Sequence, residues 1–127
     1  NDSFGIGRNA HSMSGYDAVL IDLDGTLIEG AEGLRPENVA ALRAAEARGK
    51  KVMIATGRST ASARPVLEQL GLSTPAVVFN GAAVWCPKRT RLIEERILSS
   101  RTLERSLAFA AEHDLLARLN DPLPELP

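Results

Sequence analysis

Two carboxylates one residue apart, in Asp22-Leu23-Asp24-Gly25-Thr26, follow directly on a short apolar run. On an uninterrupted strand they would share a face, but Gly25 lets the backbone turn and re-aim the second. They can then take separate roles. A carboxylate that attacks phosphorus needs a divalent cation to offset the charge of the incoming anion, and a second carboxyl group can protonate the leaving oxygen. Asp22 followed by Asp24 offers that order. Asp, Gly and Thr are also common turn residues, so a strand end and a turn is the alternative reading of the run taken alone.

Two later segments carry the same kind of residues. Thr56-Gly57-Arg58 joins a hydroxyl, a residue that permits close backbone approach, and a cation suited to charge-assisted contact with an anion. Asn80-Gly81 is a polar, turn-forming dipeptide. Each has a plain turn as its alternative, and position is what distinguishes them. Asp22, Thr56 and Asn80 each follow a short apolar run, and those runs recur at the interval of a strand-helix unit.

The elements that must position these residues can be read from periodicity. Tyr16–Ile21, Lys50–Ala55 and Ala76–Phe79 are near-continuous apolar runs, expected as strands buried on both faces of a parallel sheet. Between the first two, Pro36 opens a helical pattern with Val39, Leu42 and Ala45 at three-residue spacing, and Gly49 is placed to end it. A second helix follows Ser59, with Val66, Leu67 and Leu70 on one face and Gly71 past its end; Pro65 is expected to be its first regular residue, after an irregular turn over 60–64. Right-handed crossovers bring the C-terminal ends of all three strands to one edge, where a ligand binds an open α/β sheet. Beyond Gly81, Ala83–Cys86 and Arg91–Arg96 flank a Pro-Lys-Arg-Thr turn and predict a hairpin with Trp85 and Cys86 as packing residues. A helix over 100–113 with Leu103, Leu107 and Ala110 on its stripe comes next, and Leu115–Leu119 reads as one more strand.

On these residues the sequence resembles the haloacid dehalogenase superfamily, whose first motif is matched in full by Asp22 to Thr26. Thr56 falls where that superfamily's second motif places a Thr or Ser. Ala55-Thr56-Gly57-Arg58 with Asn80-Gly81-Ala82 is similar to the Cof-type branch, the class IIB sugar-phosphatase-like hydrolases. The resemblance implies an α/β fold: a Rossmann-like core, represented here by three parallel strands with flanking helices, then the start of an α/β cap. It implies that Asp22 forms a phosphoaspartyl intermediate and that Asp24 acts as general acid, then base. Mg²⁺ would be held by the Asp22 carboxylate and the Asp24 backbone carbonyl. Thr56, Gly57, Arg58, Asn80 and Gly81 would meet the phosphate of a small phosphorylated metabolite such as a sugar phosphate. A phosphomutase of the same superfamily shares this chemistry and differs in the acceptor.

The family's third motif, a Lys, and its fourth, an acidic run completing the metal site, have no counterpart. Lys88 falls in the hairpin, and Asp114 and Asp121 lie in no matching run. The expected organisation is therefore a leader or expression remnant over 1–13, a partial core over 14–82 and the beginning of a cap over 83–127, as a fragment or truncated product inactive alone. Three strands without further neighbours expose a sheet edge, which points to a non-catalytic interaction module or a homodimer as the rival reading.

Composition excludes several other classes. With 15 basic and 16 acidic side chains among 127 residues, no net field gathers nucleic acid or an anionic membrane. Arg89, Arg91, Arg96, Arg101 and Arg105 are interleaved with Glu94, Glu95 and Glu104, as on a solvated mixed face. No apolar run approaches the roughly 20 residues of a membrane span. The lone Cys86 has neither a disulfide partner nor zinc-site companions, which suits a reducing, cytoplasmic setting.

Overall fold

The computed structural model describes residues 15–119. The leader over 1–13 and the final Asn120–Pro127 lie outside the described residues. In chain order the elements are β1 (Ala18–Ile21), a 3₁₀ turn (Gly30–Glu32), α1 (Pro36–Ala47), β2 (Lys51–Ile54) and α2 (Thr60–Leu70). There follow β3 (Ala76–Val78), a second 3₁₀ turn (Phe79–Gly81), β4 (Ala83–Cys86), β5 (Arg91–Glu95) and α3 (Ser100–Glu112).

β1 and β2 pair in parallel, Ala18 with Lys51 through Ile21 with Ile54. β3 does not extend this pair by a full ladder as three parallel strands would. It meets β2 through one parallel bridge, Ala55 with Val77, and its own ladder runs antiparallel to β4. The physical reason is length: β3 has three residues, and the turn at Phe79 reverses the chain at once, so β4 returns along it. The pairs Ala76–Trp85, Val77–Val84 and Val78–Ala83 join the hairpin directly to β3, and β5 continues the sheet with an irregularity between Val84 and Trp85.

One apolar cluster holds these parts together. Leu23, Val52, Ile54, Leu70 and Val78 are fully enclosed, with Ala63, Leu67, Leu72, Ala76, Ala83 and Trp85 around them. α1 has no fully buried residue but leans Val39, Leu42 and Ala45 on this cluster. Trp85 and Cys86 are buried, as hairpin packing residues should be.

Three expectations need correction. β1 is not buried on both faces: Leu20 is 60% exposed, on a face that packs against none of the buried core. Pro65 lies inside α2, not at its start. Ser59 caps the helix by accepting the N–H of Ser62, so the first turn forms five residues before the proline, and Pro65 itself faces solvent. Leu115–Leu119 forms no strand: it pairs with no strand among the described residues, and Leu116 is 92% exposed.

Ile54, paired with Ile21 and 1% exposed, marks the centre of the core. Ile54→Ala is expected to lower unfolding free energy by about 2–5 kcal/mol in urea titration, through lost transfer energy and a cavity that neighbouring strands cannot fill.

Candidate active site

The site grows from the ends of β1, β2 and β3. Past β1, Leu23 is wholly buried, which turns its neighbours Asp22 and Asp24 outward to solvent. The loop then closes on itself: the N–H groups of Thr26 and Ile28 both donate to the Leu23 carbonyl, at 3.1 and 2.9 Å, and Gly25 N–H donates to the Ile28 carbonyl at 2.9 Å. Gly25 has φ +82°, a left-handed conformation that a side chain would strain. Asp22 accepts the Leu23 N–H on one carboxylate oxygen at 2.9 Å.

At the end of β2 the Thr56 side chain is buried, and its Oγ1 accepts the Arg58 N–H at 3.1 Å. A hydroxyl that accepts in this way keeps its own proton for a further acceptor. The Thr56 N–H donates to Val77 at 2.9 Å, and the Thr56 carbonyl accepts the Asn80 N–H at 3.2 Å. Phe79 N–H donates to the Arg58 carbonyl at 2.9 Å. These bonds fasten the Thr56–Arg58 turn to the turn after β3, where Phe79 and Asn80 both adopt positive φ, +51° and +54°.

This fastening explains Gly57. A Cβ there would lie 2.6 Å from the Asn80 side-chain oxygen, closer than atoms pack, so the glycine makes room for the amide. A shallow pocket of about 340 Å³ results, lined by Asp22, Ala55, Thr56, Gly57, Val77, Asn80 and Gly81. Five of the seven expected site residues therefore meet in one place. The other two, Asp24 and Arg58, do not line it but bind each other: Nε to Oδ2 at 2.8 Å and Nη2 to Oδ1 at 2.7 Å. Sequence reasoning missed this pair. The signal lay in the register, since Ile21 sits beside Ile54 and the two charges follow three and four residues later.

The hydrogen bonds from Arg58 hold the Asp24 carboxyl below its ordinary range, and the same contacts raise the Arg58 guanidinium. A lowered folded value means that the pair favours the folded chain above the ordinary Asp range and ceases to do so as pH falls through the lowered value. Asp24 is 58% exposed, so the contribution is small.

For a divalent cation, the described residues offer the right kind of donor but too few. Asp22 and a neighbouring carbonyl are hard oxygen ligands, yet no group of three or more His, Cys, Asp or Glu side chains is assembled among the described residues. As a donor set they are incomplete for an octahedral cation.

Known proteins share the sequence pattern and the fold. The pattern of the haloacid dehalogenase-like hydrolases matches residues 19–120. A 5-amino-6-(5-phospho-D-ribitylamino)uracil phosphatase of Bacillus subtilis is 31% identical over 96 residues, covering 76% of this chain and 38% of that protein. The solved structure of a haloacid dehalogenase-like hydrolase from B. subtilis superposes with a TM-score of 0.69 at 30% identity, over 77% of this chain and 34% of its own. A subclass IIB sugar phosphatase shares the fold, with a TM-score of 0.62 at 24% identity, over 76% of this chain and 38% of its own. The chain thus spans little more than a third of the length of these relatives.

Gly57→Ala is expected to leave the fold intact, because the atom displaced is the end of a flexible side chain. The Asn80 side-chain amide resonances should move in a ¹⁵N correlation spectrum, and unchanged resonances would show that the contact is absent in solution. With the pattern matched from β1 to beyond α3 and the fold shared, the chain belongs to the haloacid dehalogenase-like hydrolase family, and its neighbours are Cof-type phosphatases matched over their N-terminal part.

Proposed function

We propose that the whole protein is a Mg²⁺-dependent phosphatase of small phosphorylated metabolites, working through an aspartyl-phosphate on Asp22. The observation that carries this is the convergence of Asp22, Thr56 and Asn80 on one pocket at the ends of three successive strands. The B. subtilis relative, a 5-amino-6-(5-phospho-D-ribitylamino)uracil phosphatase, supports the reaction class. In this reading residues 14–82 belong to the core and 83–127 open the cap.

The reaction needs two displacements. An Asp22 carboxylate oxygen attacks phosphorus while the ester P–O bond breaks, and the departing oxygen takes a proton from Asp24. Water then attacks the phosphorus of the aspartyl-phosphate, gives its proton to the Asp24 carboxylate, and the P–O bond to Asp22 breaks to release inorganic phosphate. The Thr56 hydroxyl, whose oxygen is already fixed by the Arg58 N–H, is oriented to donate to a phosphoryl oxygen. Gly57, Gly81 and the Asn80 amide line the same wall of the pocket, where backbone and amide N–H groups suit an anion. Mg²⁺ on the Asp22 carboxylate and the Asp24 carbonyl would supply charge neutralisation between nucleophile and phosphate.

In the full-length protein with Mg²⁺, Asp22→Asn is expected to abolish release of inorganic phosphate from phosphomonoesters. Phosphate release at the unsubstituted rate would remove Asp22 as nucleophile. Transfer of the phosphoryl group to a second sugar, with no phosphate released, would identify a mutase instead.

A further inference from the structure

The Asp24–Arg58 pair assigns Arg58 a different task from the one its charge suggests. Both oxygens of Asp24 are engaged by one edge of the guanidinium, Nε and Nη2, in the parallel fork that carboxylates and phosphates alike prefer. The Nη1 group points the other way and donates to the Ser62 carbonyl at 3.4 Å. Arg58 is absent from the lining of the pocket where Asp22, Thr56 and Asn80 meet. The guanidinium edge that would grip two phosphoryl oxygens is already spent.

Arg58 is also held at its base. Its N–H donates to Thr56 Oγ1 and its carbonyl accepts from Phe79, so its backbone is tied into both strand-end turns. Ser62, which receives Nη1, donates its own N–H to the capping Ser59 side chain. Arg58 is 26% exposed and Asp24 58% exposed. The better-anchored partner thus holds the looser one. Apart from the Arg58 fork, the Asp24 carboxylate is met among the described residues by its own backbone N–H.

We propose that Arg58 is a positioning residue for Asp24, fixing the orientation of its carboxylate toward the leaving oxygen, and is not a ligand of the phosphoryl group. This rests on the reading of Asp24 as the proton-transferring group: the fork takes one lone pair of each Asp24 oxygen and leaves the other to carry the transferred proton. Because the role depends on a planar fork, an ammonium cannot replace it: Lys supplies the charge but not two parallel donors.

Two measurements test this. In the full-length protein with Mg²⁺, Arg58→Gln and Arg58→Lys should both lower kcat for an alkyl phosphate about a hundredfold, with KM nearly unchanged. Both should cost far less with 4-nitrophenyl phosphate, whose leaving group needs little protonation. A large rise in KM on both substrates, or recovery of the alkyl phosphate rate by Lys, would overturn the assignment in favour of a phosphate ligand. The second measurement needs no turnover. In this chain the Arg58 Nε–H should give a slowly exchanging ¹⁵N signal that Asp24→Asn abolishes and inorganic phosphate leaves in place. A signal absent from the unsubstituted chain, or moved by phosphate, refutes the pairing role. If no phosphomonoester is hydrolysed, the phosphatase reading fails, while this signal still decides whether Arg58 holds Asp24.

Discussion

Three backbone hydrogen bonds between the turn after β2 and the end of β3 hold the site together: Thr56 N–H to Val77, Asn80 N–H to Thr56, and Phe79 N–H to Arg58. They do what a long ladder would otherwise do. Among the described residues, a single parallel bridge joins the β1–β2 pair to the antiparallel sheet of β3, β4 and β5. Backbone groups cannot be left unpaired in the interior, so the chain past that bridge has little freedom. Because the bonds run through Thr56, Arg58 and Asn80 themselves, positioning and pairing are the same event.

Burial reinforces this from below. Leu23, Ile54 and Val78 are each at most 1% exposed and lie just before or within the strand ends that carry polar residues. An apolar side chain fixed in the core immediately beside a carboxylate sets the direction of that carboxylate without touching it. The pocket is consequently a property of the sheet edge more than of any one loop, which accords with the general placement of ligands at the carboxyl ends of α/β strands.

Much of this was legible in the residues. The strands, the proline that opens α1, the hairpin and the convergence of Asp22, Thr56 and Asn80 follow from local patterns whose meaning does not depend on distant partners. What escaped was set by partners. Whether β1 is buried depends on what packs over its two faces, so an apolar run reads the same with Leu20 covered or 60% exposed. Pro65 reads locally as a helix start, whereas the Ser59 cap begins the helix five residues earlier. The Asp24–Arg58 fork spans 34 positions, and charge alone suggested an anion as the partner of Arg58 when a carboxylate of the same chain was closer.

The two turns that bound β4 differ in their tolerance of altered chain length. Between β4 and β5, Lys88, Arg89 and Thr90 are exposed and could be lengthened without disturbing any buried group. Between β3 and β4 no such freedom exists. One residue inserted into Phe79–Ala82 would reverse the alternation of β4, since side chains change face at every step, and carry Trp85 from the core to the surface. The same insertion would move Asn80 away from the gap that Gly57 leaves for it. Across homologous chains, insertions and deletions should therefore accumulate in the outer turn of the hairpin and be purged from the inner one.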